Sequence, residues 1–270
     1  MRALSRRIIL AIYLVLIVVP LLVVLFGAFK TTPELFNAPF SLPKTLSLDN
    51  YSRVLTGGGL GIAAANSAIV AIFSVPLTLI IGSLAGYGVA RIRGWTSWLI
   101  FGFIVLGMSV PAQATMIPQY VLFGRLNLLN SLIGLILIEI VSTLPVAVFI
   151  MGGFMRTLPR EIYEASSIDG SGPWRTYRSI VMPLSAPSIA ATAIFLFVMH
   201  WNSLLYPLMF ISDPSKRTLP LALLGFQGEY LTNYPLLFSG VILASLPVVV
   251  AYIFLQRYFV AGMTAGLSKG

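Results

Sequence analysis

The sequence predicts an all-α integral membrane protein with six transmembrane helices and one polar helix-turn-helix between the fourth and fifth. The first observation is composition: of 270 residues, 58% are hydrophobic and only 9% charged. With a mean hydropathy of +0.94, the chain is far too apolar for a soluble domain. The second is arrangement, because the apolar residues fall into long uncharged runs, and about 20 such residues cross a bilayer core as a helix. The third is the absence of cysteine. It excludes disulfides, thiol catalysis and cysteine-ligated metals, and membrane spans need no such staples. A net charge of +9 invites a nucleic-acid reading, but the basic residues are not gathered on one polar domain. A positive-inside bias accounts for them better.

The first span follows Arg2, Arg6 and Arg7 and runs from Ile8 to Phe29, about 33 Å at helical rise. It exceeds the apolar region of a secretion signal and no A-x-A-like site follows, so it reads as a retained anchor. Lys30 to Ala65 then forms a polar external segment containing Pro33, Pro39 and Pro43. The stretch Thr56-Gly57-Gly58-Gly59-Leu60-Gly61 within it lacks the Gly-Lys-Ser/Thr ending of a phosphate-binding loop and reads as a flexible loop. Asn50-Tyr51-Ser52 matches a glycosylation sequon, a three-residue pattern frequent by chance.

The second span, about Asn66 to Ala90, ends at Arg91 and Arg93 and is bent by Pro76. Gly82, Ala85, Gly86 and Gly88 recur along it at near-helical spacing, which lets another helix approach closely. The third, Trp98 to Phe123, carries Pro111 and Pro118 with Gln113 and Gln119 nearby, so its outer half is expected to kink. The fourth, Ser131 to Phe154, places Glu139 about 12 Å in from its outer end. An ionisable group at that depth costs a few kcal/mol, roughly, unless paired or hydrated. It marks either a functional position or an interhelical hydrogen bond. The fifth, Ser188 to Ile211, contains His200-Trp201-Asn202, and the sixth is about Leu236 to Phe259.

With six spans both termini share a side. Arg2, Arg6, Arg7, Arg91, Arg93, Arg156, Arg160, Arg175, Arg178, Arg257 and Lys269 fall there. Lys30, Lys44, Arg53, Arg125, Lys216 and Arg217 fall on the other, so the termini are expected to be cytoplasmic. The polar passage from Thr157 to Pro187 is then cytoplasmic too. Thr157 is placed to cap a short helix that Pro159 starts and that Glu161 and Glu164 favour at its positive end. Gly170 ends it in the left-handed conformation, and a second helix from about Trp174 to Met182 is closed by Pro183 and Pro187.

Glu164-Ala165-Ser166, three residues, Gly170, nine residues and Ile180-Val181-Met182-Pro183 resemble the EAA loop of ABC importer permeases, E-A-A-x3-G-x9-I-x-L-P. Ser166 for alanine and Met182 for leucine are the two departures. Asp169, the Trp201-Asn202 pair and the closing Val260-Ala261-Gly262-Met263-Thr264-Ala265-Gly266 are similar to the maltose-permease-like, carbohydrate-uptake branch. The resemblance spans roughly Asn66 to Gly270. It implies three regions: an N-terminal span and external segment over 1–65, a type I importer transmembrane domain over 66–258 with its coupling loop at 157–183, and a cytoplasmic tail over 259–270.

The same resemblance implies a permease subunit in a bacterial inner membrane, one half of a heterodimer. Its partners would be a second permease, two ATP-binding cassette subunits carrying ATP and magnesium, and an extracytoplasmic binding protein that delivers a sugar. Glu161, Glu164, Ala165, Ser166, Asp169, Gly170, Ile180 and Pro183 would form the surface that couples to the ATPase. No phosphate-binding loop, metal cluster or nucleophile stands in the chain, so it is expected to hold no cofactor and catalyse nothing itself. Glu139, His200, Asn202 and Gln113 are the candidates for the translocation path. A permease for polyamines, amino acids or metals is an alternative, since such importers share the loop. An ion-coupled secondary transporter would have to use Glu139 and His200, and an intramembrane enzyme finds no partner for them. A lone histidine on a membrane helix is more often a buried hydrogen-bonding group than a ligand.

Overall fold

The computed structural model describes residues 2–57, 59–92, 94–226 and 232–264, with side chains over 5–57, 59–92, 94–226 and 232–254. Its helices are α1 (Arg2–Gly27), α2 (Thr32–Asn37), α3 (Asp49–Gly57), α4 (Leu60–Arg91), α5 (Trp95–Leu106), α6 (Ala112–Arg125) and α7 (Leu132–Met155). There follow α8 (Arg160–Ile168), α9 (Pro173–Thr176), α10 (Met182–Leu184), α11 (Ala186–Trp201), α12 (Leu205–Phe210), α13 (Leu219–Leu223) and α14 (Tyr234–Thr264). Five of them, with α11 and α12 taken together, are long and apolar enough to cross a membrane, and the bent pair α5–α6 makes a sixth. The chain divides into two compact units, 1–65 with 217–247, and 66–216 with 248–270.

In the first unit α1 covers the first apolar run and is long and apolar enough to cross a membrane. Its apolar side chains from Ile8 to Leu16 are all more than half exposed, as befits a helix whose neighbours are lipid or another chain. Gly27 lies tight against α14: a Cβ there would stand 2.7 Å from the Phe238 ring. The segment beyond is not irregular, because Thr31 caps α2 and Pro33 occupies its first turn. Lys30, read from the sequence as an external charge, is only 1% exposed. Its ammonium donates to Ala38 O at 2.8 Å and to Pro39 O and Ser41 Oγ at 3.3 Å, which satisfies all three protons. Asn50 bridges Ala28 O and Lys30 O, both at 2.9 Å, so the sequon asparagine is a clamp between turns. The expected flexible loop is mostly helix: Thr56 and Gly57 end α3, Leu60 and Gly61 open α4, and Gly59 turns the chain at φ +63. Gly58 lies outside the described residues.

In the second unit α4 and α7 meet where side chains are smallest. A Cβ on Gly82 would lie 2.9 Å from Ala147 Cβ, and one on Gly86 would lie 2.9 Å from the Gly152 backbone. These two glycines make the close approach expected of the small-residue series, whereas Gly88 meets nothing within 4 Å. Val75, Ala147, Met151 and Leu196 then form a core shared by α4, α7 and α11. At the other end of this unit, Asn130 Oδ1 accepts from the backbone of Ser212 and Asp213, and Lys216 donates to Asn130 O at 3.0 Å.

Three expectations about continuity change. The kink of the third span is a break of 92° between α5 and α6. Pro111 disfavours helix in the residue before it, and Val110 is extended at φ −85, ψ 115. The fifth span is interrupted at 202–204, because Pro207 has no N–H to close the turn onto Ser203 O. Conversely, the last span, expected to end near Phe259, continues as α14 through Gly262 to Thr264. One glycine costs about 1 kcal/mol, which an already propagating helix absorbs. Arg93, Gly266 and the end of the tail with Lys269 lie outside the described residues, as do the side chains of Arg2 and Arg257.

Replacing Gly86 with valine should cost about 1–3 kcal/mol by overpacking against Gly152. It should appear as a lower melting temperature of the detergent-purified protein, while Gly88→Ala should melt with the parent. Equal melting of Gly86→Val and the parent would mean that α4 and α7 do not approach as described.

Candidate functional site

Two polar constructions stand out in the second unit: the turn between α8 and α10, and a buried network on α4, α7 and α11. In the first, Pro159 is the N-cap of α8 and offers no side-chain acceptor. Thr157, expected to cap that helix, instead donates its hydroxyl to Phe154 O at 2.8 Å and finishes α7. Glu161 does sit in the first turn of α8. At its far end Gly170 adopts φ +71, Ser171 N–H bonds Ser166 O at 2.9 Å, and Gly170 N–H bonds Ser167 O at 3.2 Å. These are the two hydrogen bonds of a Schellman turn, so the last carbonyls of α8 are satisfied while the chain reverses.

The return helix is not a simple one. After α9, Tyr177–Val181 form a π-helical turn in which Met182 N–H reaches Tyr177 O, before α10 carries on past Pro183 to Leu184. Pro183 was expected to end the helix. Its missing N–H and the clash of its ring with the carbonyl four residues earlier are accommodated by the wider turn.

Three tyrosines bolt this turn to α4 and α7. Tyr87 donates to Pro173 O at 2.9 Å, Tyr177 and Ser83 share a hydrogen bond of 2.8 Å, and Tyr163 donates to Met155 O at 3.1 Å. Arg91 donates to the Tyr87 hydroxyl at 3.1 Å. Burial, and then the neighbouring Tyr87, push the Tyr163 phenol above its ordinary range, so it remains a donor. Tyr87, Met155, Tyr177 and Val181 form the buried cluster beneath. Ser166, the departure from the motif, is 3% exposed and accepts from Thr176 Oγ1 at 3.2 Å, so it ties α8 to α9. Glu161, Glu164, Ala165, Asp169, Gly170 and Pro183 are exposed, and Ile180 is half-buried. At the tip Ile168 is 86% and Trp174 62% exposed, an apolar pair that sequence reasoning did not single out.

In the second construction the structure brings Glu139 and His200 together. His200 Nδ1 lies 2.6 Å from Ser74 Oγ, and Nε2 lies 3.0 Å from Thr143 Oγ1 and 4.0 Å from Glu139 Oε2. Thr143 gives its own proton to Glu139 O at 2.7 Å, so its oxygen accepts from Nε2–H and Ser74 donates to Nδ1. In a neutral imidazole this places the ring proton on Nε2 and leaves Nδ1 to accept from Ser74. Ser142 donates to the Tyr206 hydroxyl at 2.7 Å. Asn202 and Gln113 are not in this network: both are exposed, and Asn202 Nδ2 bonds Val198 O within its own helix. Ser74 and Thr143 were missed, although Ser67, Ser74 and Thr78 fall on one buried face of α4 and signalled a polar seam.

Comparison with known proteins decides the family. Residues 78–265 match the model described as "binding-protein-dependent transport system inner membrane component". The chain belongs to this family. It is therefore a multi-pass membrane permease component, which transports and does not catalyse, of a kind that works with partner subunits and a binding protein. The diacetylchitobiose uptake system permease protein NgcG of Streptomyces coelicolor is 32% identical over 259 residues, covering 95% of this chain and 86% of that protein. The arabinooligosaccharides transport system permease protein AraQ of Bacillus subtilis is 34% identical over 255 residues, covering 93% and 90%. A crystal structure of a bacterial ABC transporter involved in the import of the acidic polysaccharide alginate superposes with a TM-score of 0.81. That likeness covers 95% of this permease and 96% of the other chain at 20% identity, and it establishes the fold.

Ser74→Ala and Thr143→Val each strip one ring nitrogen of His200 of its partner, which should cost about 1–3 kcal/mol for a buried group. Asn202→Ala removes an exposed bond and should change stability by less than about 0.5 kcal/mol. Thermal unfolding of the three purified variants tests this, and equal melting of all three would dissolve the network as a stabilising clasp.

Proposed function

We propose that this permease is one half of a heterodimeric ABC importer for a sugar or oligosaccharide, driven through the loop at 157–183. The second permease supplies the other half of the path. Two cassette subunits bind ATP and magnesium, and a binding protein delivers the solute on the opposite side. Both termini and the loop are cytoplasmic in this reading, which the excess of arginine at that end supports. The sugar assignment draws on the relatives, whose names specify diacetylchitobiose and arabinooligosaccharides. The regions 1–65, 66–258 and 259–270 serve as anchor with external segment, transport domain and tail.

The observation that carries the proposal is the rigid reversal at Gly170 with its apolar tip. A lever has to keep its shape under load, and this one is tied by Ser166 to Thr176 within itself and by Tyr163 and Tyr177 to the membrane helices. Ile168 and Trp174 project at the tip, where an apolar socket on the ATPase would bury them. Glu164 shares a surface cavity with Arg91 and Arg160, so its carboxylate moderates a positive site. Glu161, Ala165, Asp169, Ile180 and Pro183 complete the coupling surface. Glu139 and His200 support the path from behind: each is 4% exposed, which suits a network that positions α11 where Asn202 and α12 follow. Gln113, exposed at the break of the third span, is a candidate for the path itself.

A Cβ at Gly170 would meet nothing within 4 Å, so substitution there is opposed only by the backbone at φ +71. Gly170→Val should therefore cost about 1–2 kcal/mol in the turn and leave the membrane helices intact. Membrane abundance should stay at the parental level, while ATPase co-purification and uptake of labelled oligosaccharide fall. Glu164→Lys should do the same by leaving three positive charges at one cavity. Normal uptake by both variants would remove the coupling role.

A further inference from the structure

We infer that the junction of α5 and α7 holds an anionic phospholipid, its phosphodiester between Arg156 and Arg160 and its acyl chains along α5. A cavity of about 410 Å³ opens there, with Trp98, Phe101, Gly153 and Tyr163 in its walls besides the two arginines. No carboxylate lines it. Glu164 lines the neighbouring cavity on the side of the turn at Gly170, together with Arg91 and the other face of Arg160. The Arg156 guanidinium lies over Trp98 at 3.7 Å from the ring centroid and 4.8 Å from that of Phe101, which fixes its plane and leaves its N–H groups for an acceptor. No carboxylate among the described residues pairs with Arg156 or Arg160. The other polar walls are already engaged: Ser97 bonds Val89 O, Thr157 bonds Phe154 O, and Tyr163 bonds Met155 O.

The occupant is a lipid rather than a soluble phosphate because Trp98 in the cavity wall stands one helical turn from Trp95, where an exposed apolar stripe of α5 begins. Trp95, Leu99, Phe103 and Leu106 recur every three or four residues along α5 and are 72%, 54%, 79% and 63% exposed. A headgroup held at the arginines would lay its chains on that stripe. A bare anion would leave it uncovered. Basic pockets at the ends of membrane helices on the cytoplasmic side take anionic headgroups by this combination of charge and apolar wall. Of the family reading, the inference uses only the side of the membrane; the transported solute does not enter it.

Tryptophan quenching tests the site in the unaltered full chain. The purified protein is placed in phosphatidylcholine nanodiscs containing a small fraction of brominated phosphatidylglycerol or brominated phosphatidylcholine. The Trp98 contribution is obtained by difference from Trp98→Phe. Brominated phosphatidylglycerol should quench it preferentially, with an apparent affinity higher by about fivefold for each arginine. Arg156→Gln with Arg160→Gln should abolish the preference, the paired lysine variant should keep most of it, and Arg125→Gln should leave it unchanged. Equal quenching by the two lipids in the unaltered protein would overturn the inference, as would displacement by excess inorganic phosphate. Sugar uptake is read separately, so a failed lipid preference with intact uptake leaves the transport reading standing.

Discussion

Inside a bilayer there is no water to satisfy a polar group, and the second unit is arranged around that constraint. His200 is its centre. A buried imidazole needs a donor for one nitrogen and an acceptor for the other, and Ser74 on α4 with Thr143 on α7 supply them. The same demand is met at Thr143, whose hydroxyl donates to Glu139 O one turn back while it accepts from His200. Three helices are thus held in register by hydrogen bonds that none of them could make alone, and apolar packing around Met151 and Leu196 closes the space between them. In the first unit Lys30 obeys the same rule, exhausting its protons on two carbonyls and a hydroxyl.

The proline-associated breaks follow from this rule as well. Pro111, Pro183 and Pro207 each remove a backbone donor, and the chain answers in three ways: a sharp break, a widened turn and an interruption. Which answer is chosen depends on the neighbours. Tyr177 lies on the π-helical turn and is packed against Tyr87 at 5.3 Å between centroids and against Trp174 at 5.4 Å. The wider turn therefore keeps a buried ring in place while the helix continues. At Pro111 the flanking residues, Val110 and Ala112, are exposed or half-buried, and the two segments diverge freely.

The turn at Gly170 joins the two themes. Its shape is local, set by Gly170 and the hydrogen bonds of Ser166 and Ser167. Its attachment is tertiary, made by tyrosine hydroxyls that reach backbone carbonyls and Ser83. A surface element fastened in this way moves with the ends of α4 and α7, which is the mechanical property a transmission surface needs. Ile168 and Trp174 stay exposed at its tip.

Sequence alone determined the membrane class, the number of apolar runs, the charge asymmetry and the family, because hydropathy, arginine placement and motif spacing are properties of the chain in order. It also located Gly170 and the small-residue face of α4, since positive φ and close packing each restrict residue type at one position. Glu139 and His200 were legible as costly residues but not as neighbours. They stand 61 positions apart, and only the packing of α7 on α11 puts Nε2 4.0 Å from a carboxylate oxygen. The burial of Lys30 was not legible for the same reason, as its surroundings come from Ala38 to Ser41 folding back over it. Helix continuity was misjudged in both directions, at Pro207 and at Gly262, because the cost of a missing donor or a glycine is local while the gain that outweighs it is collective. Contact and continuity are properties of the folded molecule, and the tertiary structure decided them.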